Sequence, residues 1–197
     1  STSEIAHLLE LSPPSVSGMI KRLSELGLLE HLPYKGVQLT AEGRRAALRM
    51  VRRHRLIEAY LVEFLGYSWD TVHEEAERLE HAVSDALVER MAVALGHPSV
   101  DPHGDPIPTA DGAIEELAST PLATLKVGDT AEIVRVHEND SERLRYLATL
   151  GLRPGVMVTV LDRQPFSGPV TIETHGEVQV LGQPLAQVLL CAVGARR

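Results

Sequence analysis

The 197-residue chain has one cysteine, few aromatic side chains and no long apolar run. A lone Cys191 cannot close an intramolecular disulfide, so a small secreted scaffold is excluded and a reducing, cytoplasmic setting is expected. Aromatics make up only 4%, and the 44% hydrophobic content is mostly Leu, Val and Ala, which suits helices around real cores. No stretch approaches the roughly 20 apolar residues of a membrane span, and the start shows no secretory pattern. Catalytic signatures are missing too. No phosphate-binding glycine loop is present, and HEEAE puts Glu77 where an HExxH zinc site needs its second histidine. No enzyme is expected.

Positive charge is scarce, with a net charge of −8, but it is unevenly placed. Residues 1–55 carry nine Lys or Arg against five acids, while the remainder carries ten against twenty-two. A basic end on an acidic body fits a chain that meets a polyanion at one end and cations at the other.

The basic end has the pattern of a helix-turn-helix. A short helix capped by Ser3 carries Ile5, Leu8 and Leu9. Ser12-Pro13-Pro14 then starts a second helix, with Val16, Ile20, Leu23 and Leu26 inward and Gly27 as its stop. Two short strands around Pro33-Tyr34-Lys35-Gly36 read as a wing. Ser12, Pro14, Ser15, Ser17 and Lys21, with Tyr34 and Lys35 of the wing, are the candidate DNA contacts. They offer small hydrogen-bonding groups and cations for phosphates and base edges. A generic packing unit with a polar face is the competing reading.

Thr40 caps a long helix to about Leu65, ended by Gly66. His54 and Glu58 fall inside its apolar stripe, and a carboxylate on a buried face needs a partner. A further helix is expected from about Trp69 to Leu95. On it, His73, Glu77, Glu80 and His81 share one face, within an arc of roughly 100°. His and carboxylate together suit Mn²⁺ or Fe²⁺, while Zn²⁺, Ni²⁺, Co²⁺ or Cd²⁺ would substitute in vitro. The competing reading is a solvated face with coincidental spacing. His7, His31, His97, His103, His137 and His175 read as surface or packing residues. Residues 98–121, with Pro98, Pro102, Pro106, Pro108 and Pro121, read as a linker. From residue 122 the period shifts towards two, which predicts a small β-barrel.

These segments resemble the diphtheria-toxin-repressor family of metal-dependent transcription regulators. SPPSVSGMIKRL, RRHRLIEAYL, VHEEAERLEH and HGDPIP carry the resemblance over nearly the whole chain. LATLGLRPG resembles the SH3-like domain that ferrous-iron-transport A proteins form alone. The expected fold is mainly α with a small β-barrel. It divides into a winged helix-turn-helix at 1–43 without the family's first helix, a helical metal-binding and dimerisation domain at 44–97, a linker at 98–121 and an SH3-like domain at 122–197.

The resemblance implies a homodimer that binds a palindromic operator in double-stranded DNA only with metal bound. Glu77, Glu80 and His81 would be primary-site ligands, and His54, Glu58 and His73 ligands of a neighbouring site. Glu77 stands where iron-responsive members have cysteine, which favours Mn²⁺ over Fe²⁺. The C-terminal domain would add ligands from among His137, Glu138, Asp140 and Glu142, with Asp140 and Glu142 preferred. The expected function is a manganese-dependent repressor of metal-uptake genes, with iron as the alternative metal. A metal carrier whose winged helix contacts protein is the other class.

Overall fold

The computed structural model describes residues 1–32, 36–115 and 117–193. Helix α1 (Thr2–Leu8) starts at a capping box: Ser1 accepts from the Glu4 amide, and the Glu4 side chain answers the Ser1 amine. Helix α2 (Pro13–Glu25) follows, with Ser12 as its N-cap and prolines in the first turn, where no amide is needed. Ala6, Val16 and Ile20 form a small core, closed by Ile5, Leu29 and Val37. The last two come from strands β1 (Leu29–Leu32) and β2 (Gly36–Leu39), paired antiparallel as a wing. The wing candidates Tyr34 and Lys35 lie outside the described residues.

Helix α3 (Ala41–Leu65) ties this unit to everything after it. Thr40 caps it and donates its hydroxyl to the Gly27 carbonyl at 2.7 Å. A Cβ on Gly43 would sit 1.9 Å from the Leu28 carbonyl oxygen, so only glycine lets the first turn of α3 press on the winged helix. The helix rises about 37 Å, and its far half carries His54 and Glu58. Gly66 closes it in the left-handed conformation.

The single helix expected over residues 69–95 is two. Helix α4 (Val72–Glu80) ends at His81, and α5 (Asp85–Ala94) starts from Ser84, whose hydroxyl accepts from the Leu87 amide. The apolar period runs through the break and hides this cap. Ile57 and Leu61 of α3 pack on Val72 and Ala76 of α4, and Leu56 packs on Val88 and Ala92 of α5. Arg52, Arg53 and Arg55 are structural: Arg52 grips Glu89 at 3.0 Å, Arg53 meets Asp85 and the Glu80 carbonyl, and Arg55 turns towards residues 101–106.

The proline-rich stretch behaves as a packed strap where it passes the helices. Asp101, His103, Gly104, Pro106, Ile107 and Pro108 are buried. Its His103 carbonyl accepts from the Val136 amide at 2.8 Å. Gly104 lies at φ 84°, and a Cβ there would meet the Val134 carbonyl at 2.0 Å.

The C-terminal unit corrects one expectation. It contains strands β3 (Thr120–Pro121), β4 (Thr130–Val136), β5 (Met157–Arg163), β6 (Val170–Thr174), β7 (Glu177–Leu181) and β8 (Leu189–Val193), with helices α6 (Ser141–Thr149) and α7 (Gln183–Val188). They form an open antiparallel sheet in the order β3-β8-β4-β5-β6-β7. The edges β3 and β7 do not pair among the described residues, so no SH3-like or other β-barrel closes. Strand β3 has two residues, and one is Pro121, which has no amide to donate, so it cannot serve as a closing strand. The fold is mainly helical with two open sheets, this one and the wing. Trp69, from the turn before α4, is buried in the core of the C-terminal unit and pins it to the helices.

Candidate metal centre

The spacing of four on α3 places His54 above Glu58, and α4 lays His73 across from them. His54 Nε2, His73 Nδ1 and Glu58 Oε1 are mutually 3.0 Å apart. Neighbouring ligands of an octahedral ion with bonds of about 2.1 Å lie about 3.0 Å apart. The triangle therefore fits one face of such a centre. His54 Nδ1 faces Glu80 Oε2 at 2.7 Å, which fixes the ring and leaves Nε2 for the triangle. Two imidazole nitrogens and a carboxylate oxygen, all lone-pair donors, converge where a cation is needed. Glu58 is only 2% exposed.

The ionisation follows from this crowding. Burial opposes charge on His54, but its hydrogen bond to Glu58, that carboxylate's charge and Glu80 outweigh it and raise the imidazole to about 9. Burial likewise opposes charge on Glu58, and hydrogen bonds from His54 and His73 override it and hold the carboxyl well below its usual range. His73 is raised, chiefly by its hydrogen bond to Glu58. In the metal-free chain, protons supply the positive charge that the triangle requires.

A second group shares Glu58. Its ligand atoms, with those of Asp101 and His103, all lie within 4.8 Å of one another. His103 Nε2 donates to the Trp69 carbonyl at 2.7 Å, so Nδ1 is bare and lies 3.9 Å from Glu58 Oε2. The ring stacks on the Trp69 indole, with centroids 5.4 Å apart, and the Arg153 guanidinium also lies over the indole. Asp101 Oδ1 accepts the amides of His103 and Asp105 at 2.8 and 2.9 Å, and Arg55 stands 3.7 Å from Oδ2. Burial, with the charges of Asp105 and Glu58, pushes Asp101 up to about 7. Both groups line one cleft of about 220 Å³ that also takes in Arg135, His137 and Glu138.

The remaining sequence candidates lie elsewhere. Glu77 and His81 are exposed; Glu77 reaches His73 Nε2 at 3.5 Å, and His81 reaches Glu80 at 3.4 Å. Glu77, Glu80 and His81 do not form a three-ligand group among the described residues. Asp140 caps α6 by accepting the amides of Glu142 and Arg143, and neither Asp140 nor Glu142 lines the cleft. Asp101 and His103 were missed. The D-x-H spacing inside a proline-rich strap was the available signal. At the other end, Ser15, Ser17 and Lys21 are exposed on α2; the Ser12 and Ser15 hydroxyls meet at 2.8 Å, and Ser17 bonds the Pro13 carbonyl.

A winged helix rigidly continued into helices that carry a buried His–carboxylate cluster defines a class of metal-binding winged-helix proteins. Comparison narrows it. Residues 1–37 match the iron-dependent repressor N-terminal DNA-binding domain, 40–109 the iron-dependent repressor metal-binding and dimerisation domain, and 120–193 the FeoA domain. The chain is 32% identical over 197 residues to the diphtheria toxin repressor of Corynebacterium glutamicum, covering 95% of this chain and 85% of that one. It is 31% identical over 170 residues to the iron-dependent repressor IdeR of Mycobacterium leprae, covering 80% and 74%. A solved manganese-dependent transcriptional repressor in complex with manganese superposes with a TM-score of 0.90 at 43% identity, covering 98% of this chain and 90% of that one. The chain belongs to the diphtheria-toxin-repressor family of metal-dependent repressors.

Proposed function

We propose that the chain is a manganese-responsive repressor that binds a palindromic operator as a homodimer, with Fe²⁺ as the alternative metal. The observation that carries this reading is the 3.0 Å triangle of His54, Glu58 and His73, built on the helix whose first turn is locked to the winged helix. His54, Glu58, His73, Asp101 and His103 would hold the metal, and Glu77, Glu80 and His81 would provide a further set, of which Glu77 and His81 are exposed. These ligands come from α3, α4 and the strap, and a cation held by them would offset the clustered carboxylate charge and tie the three elements together. That would fix the angle at which α3 presents α2 to the major groove. The comparisons support this reading: residues 40–109 match a metal-binding and dimerisation domain, residues 1–37 a DNA-binding domain, and the relatives are named as iron-dependent or manganese-dependent repressors.

Ser12, Pro14, Ser15, Ser17 and Lys21 are the proposed DNA contacts on α2. Phe64 and Leu65 at the end of α3, with Leu87 on α5, are exposed apolar residues on the helical domain and suit a dimer surface. The boundaries 1–43, 44–97, 98–121 and 122–197 serve as functional divisions, although α3 runs through the first of them.

The test is a binding titration on the promoter DNA of the chain's own gene, with Mn²⁺, with Fe²⁺ under reducing conditions, and with chelator. Mn²⁺ should tighten binding at least tenfold over chelator, with Fe²⁺ weaker. Equal affinity in all three would remove the regulator reading and leave the metal-carrier class.

A further inference from the structure

Strand β7 is the outer strand at one end of the C-terminal sheet. It runs beside β6 without a bulge, from Glu177 opposite Thr174 to Leu181 opposite Val170. The two strands join through His175 and Gly176, whose φ angles of 50° and 78° suit a two-residue hairpin turn. In such a hairpin the closing pair, Thr174 and Glu177, exchanges backbone hydrogen bonds, and bonded and non-bonded pairs alternate from there. Glu177, Gln179 and Leu181 therefore bond to β6. The backbone groups of Val178 and Val180 point away from the sheet, and no loop or helix among the described residues takes them up.

This edge is unguarded. Sheets blunt an exposed edge with very short strands, lysine, proline or bulges. The opposite edge uses two of these devices: β3 has two residues, and one is Pro121. Strand β7 has five residues, and its charge is confined to Glu177 at the start. Val178 and Val180 share the outer face of the sheet and are 63% and 62% exposed. Gln179 points the other way and donates to the Leu150 carbonyl at 2.9 Å, and Leu181 fills the core.

We propose that β7 is a strand-addition site for β7 of a second copy of this chain, paired antiparallel about a two-fold axis at Gln179. The sequence of β7 matches itself in that register. Val178 faces Val180 of the second copy, and Val180 faces its Val178, so the outward backbone groups of both copies exchange hydrogen bonds. The valines of the two copies then form one apolar strip on the outer face. Glu177 lies opposite Leu181 of the second copy, so the two carboxylates sit at opposite ends of the pair. A register shifted by two residues keeps one valine pair and carries the other valine past the end of the strand. A five-residue strand covers less than the roughly 800 Å² per partner of a standard interface. The contact is therefore a secondary link. It joins copies already brought together, as on one stretch of DNA, where effective concentration makes a weak contact sufficient.

The experiment is sedimentation velocity of the full chain with Mn²⁺, in a concentration series reaching roughly 0.5 mM to populate a weak contact. The unaltered chain should double in mass as concentration rises. The doubling runs from dimer to tetramer if the homodimer proposed above holds, and from monomer to dimer if it does not, so the starting mass separates the two readings. Two double variants at these exposed positions test the register, with circular dichroism to check the fold. Val178→Lys with Val180→Lys sets like charges across the pair and should abolish the doubling. Val178→Lys with Val180→Glu sets opposite charges across it and should restore the doubling, more weakly at high salt. No doubling by the unaltered chain overturns the proposal and leaves the edge to an extended peptide of another protein. Doubling that survives in the like-charge variant, or that the opposite-charge variant fails to restore, overturns it as well.

Discussion

Helix α4 shows two kinds of ligand face a turn apart. On one side, His73 meets His54 and Glu58 in a triangle with 3.0 Å edges, with second hydrogen bonds that orient the rings. On the other, Glu77 and His81 stand in solvent, with side chains 62% and 75% exposed. The residue types are the same, and so is the helical spacing. What separates them is the second wall: α3 supplies it for His73, and the described residues supply none for His81. Under the proposed function, preorganisation and not ligand identity would set which face takes metal first.

The largest effect is expected at Glu58. Glu58→Gln keeps the shape and removes the charge shared by both groups. Its loss should lower Mn²⁺ affinity by more than the roughly 10- to 100-fold that losing an outer-shell partner costs. His81→Ala should leave the first-ion affinity within about threefold. Calorimetric titration reads both, and the reverse order would show that the exposed face dominates.

Next in size is the effect of pH. His54 titrates at about 9 in the metal-free chain, so Mn²⁺ must displace its proton below that value. Affinity for the first ion should therefore rise from pH 6.5 to 8.5, by up to about tenfold per unit for each proton released. The metal-free fold behaves in the opposite sense. The raised His54 contributes stability that is fully present below about pH 6.5 and is lost as pH rises through about 9. Calorimetry in two buffers of different ionisation heat counts the protons; none released would detach His54 from the site.

The smallest effect concerns coupling along α3. Gly43→Ala forces a Cβ towards the Leu28 carbonyl and should cost about 1–3 kcal/mol in urea unfolding. It should weaken Mn²⁺-dependent DNA binding while leaving Mn²⁺ affinity in the absence of DNA unchanged. Metal affinity that falls in parallel would mean that the two ends of α3 are not separable.

Much of this arrangement was legible in the chain. Ser12-Pro13-Pro14 and Thr40 marked helix starts, and Gly66 marked an end. The placing of His54 and Glu58 inside an apolar stripe announced a buried polar cluster. Asp101 and His103 were not legible, because the strap has no periodicity to assign a face and its partner Glu58 lies more than forty residues earlier. The Ser84 cap was hidden by an apolar period that continues across it. The open sheet was out of reach for another reason: alternation predicts strands, but closure depends on whether the two edges meet. A two-residue strand ending in Pro121 decides that they do not.

We propose that the buried Glu58 cluster governs DNA binding. It is tested most directly by operator affinity as a function of free Mn²⁺, for the unaltered chain and for Glu58→Gln. The unaltered chain should show a steep Mn²⁺ dependence, and Glu58→Gln an affinity that stays at the chelator level across the same range. A Glu58→Gln chain that responds to Mn²⁺ with the same midpoint and amplitude would contradict it.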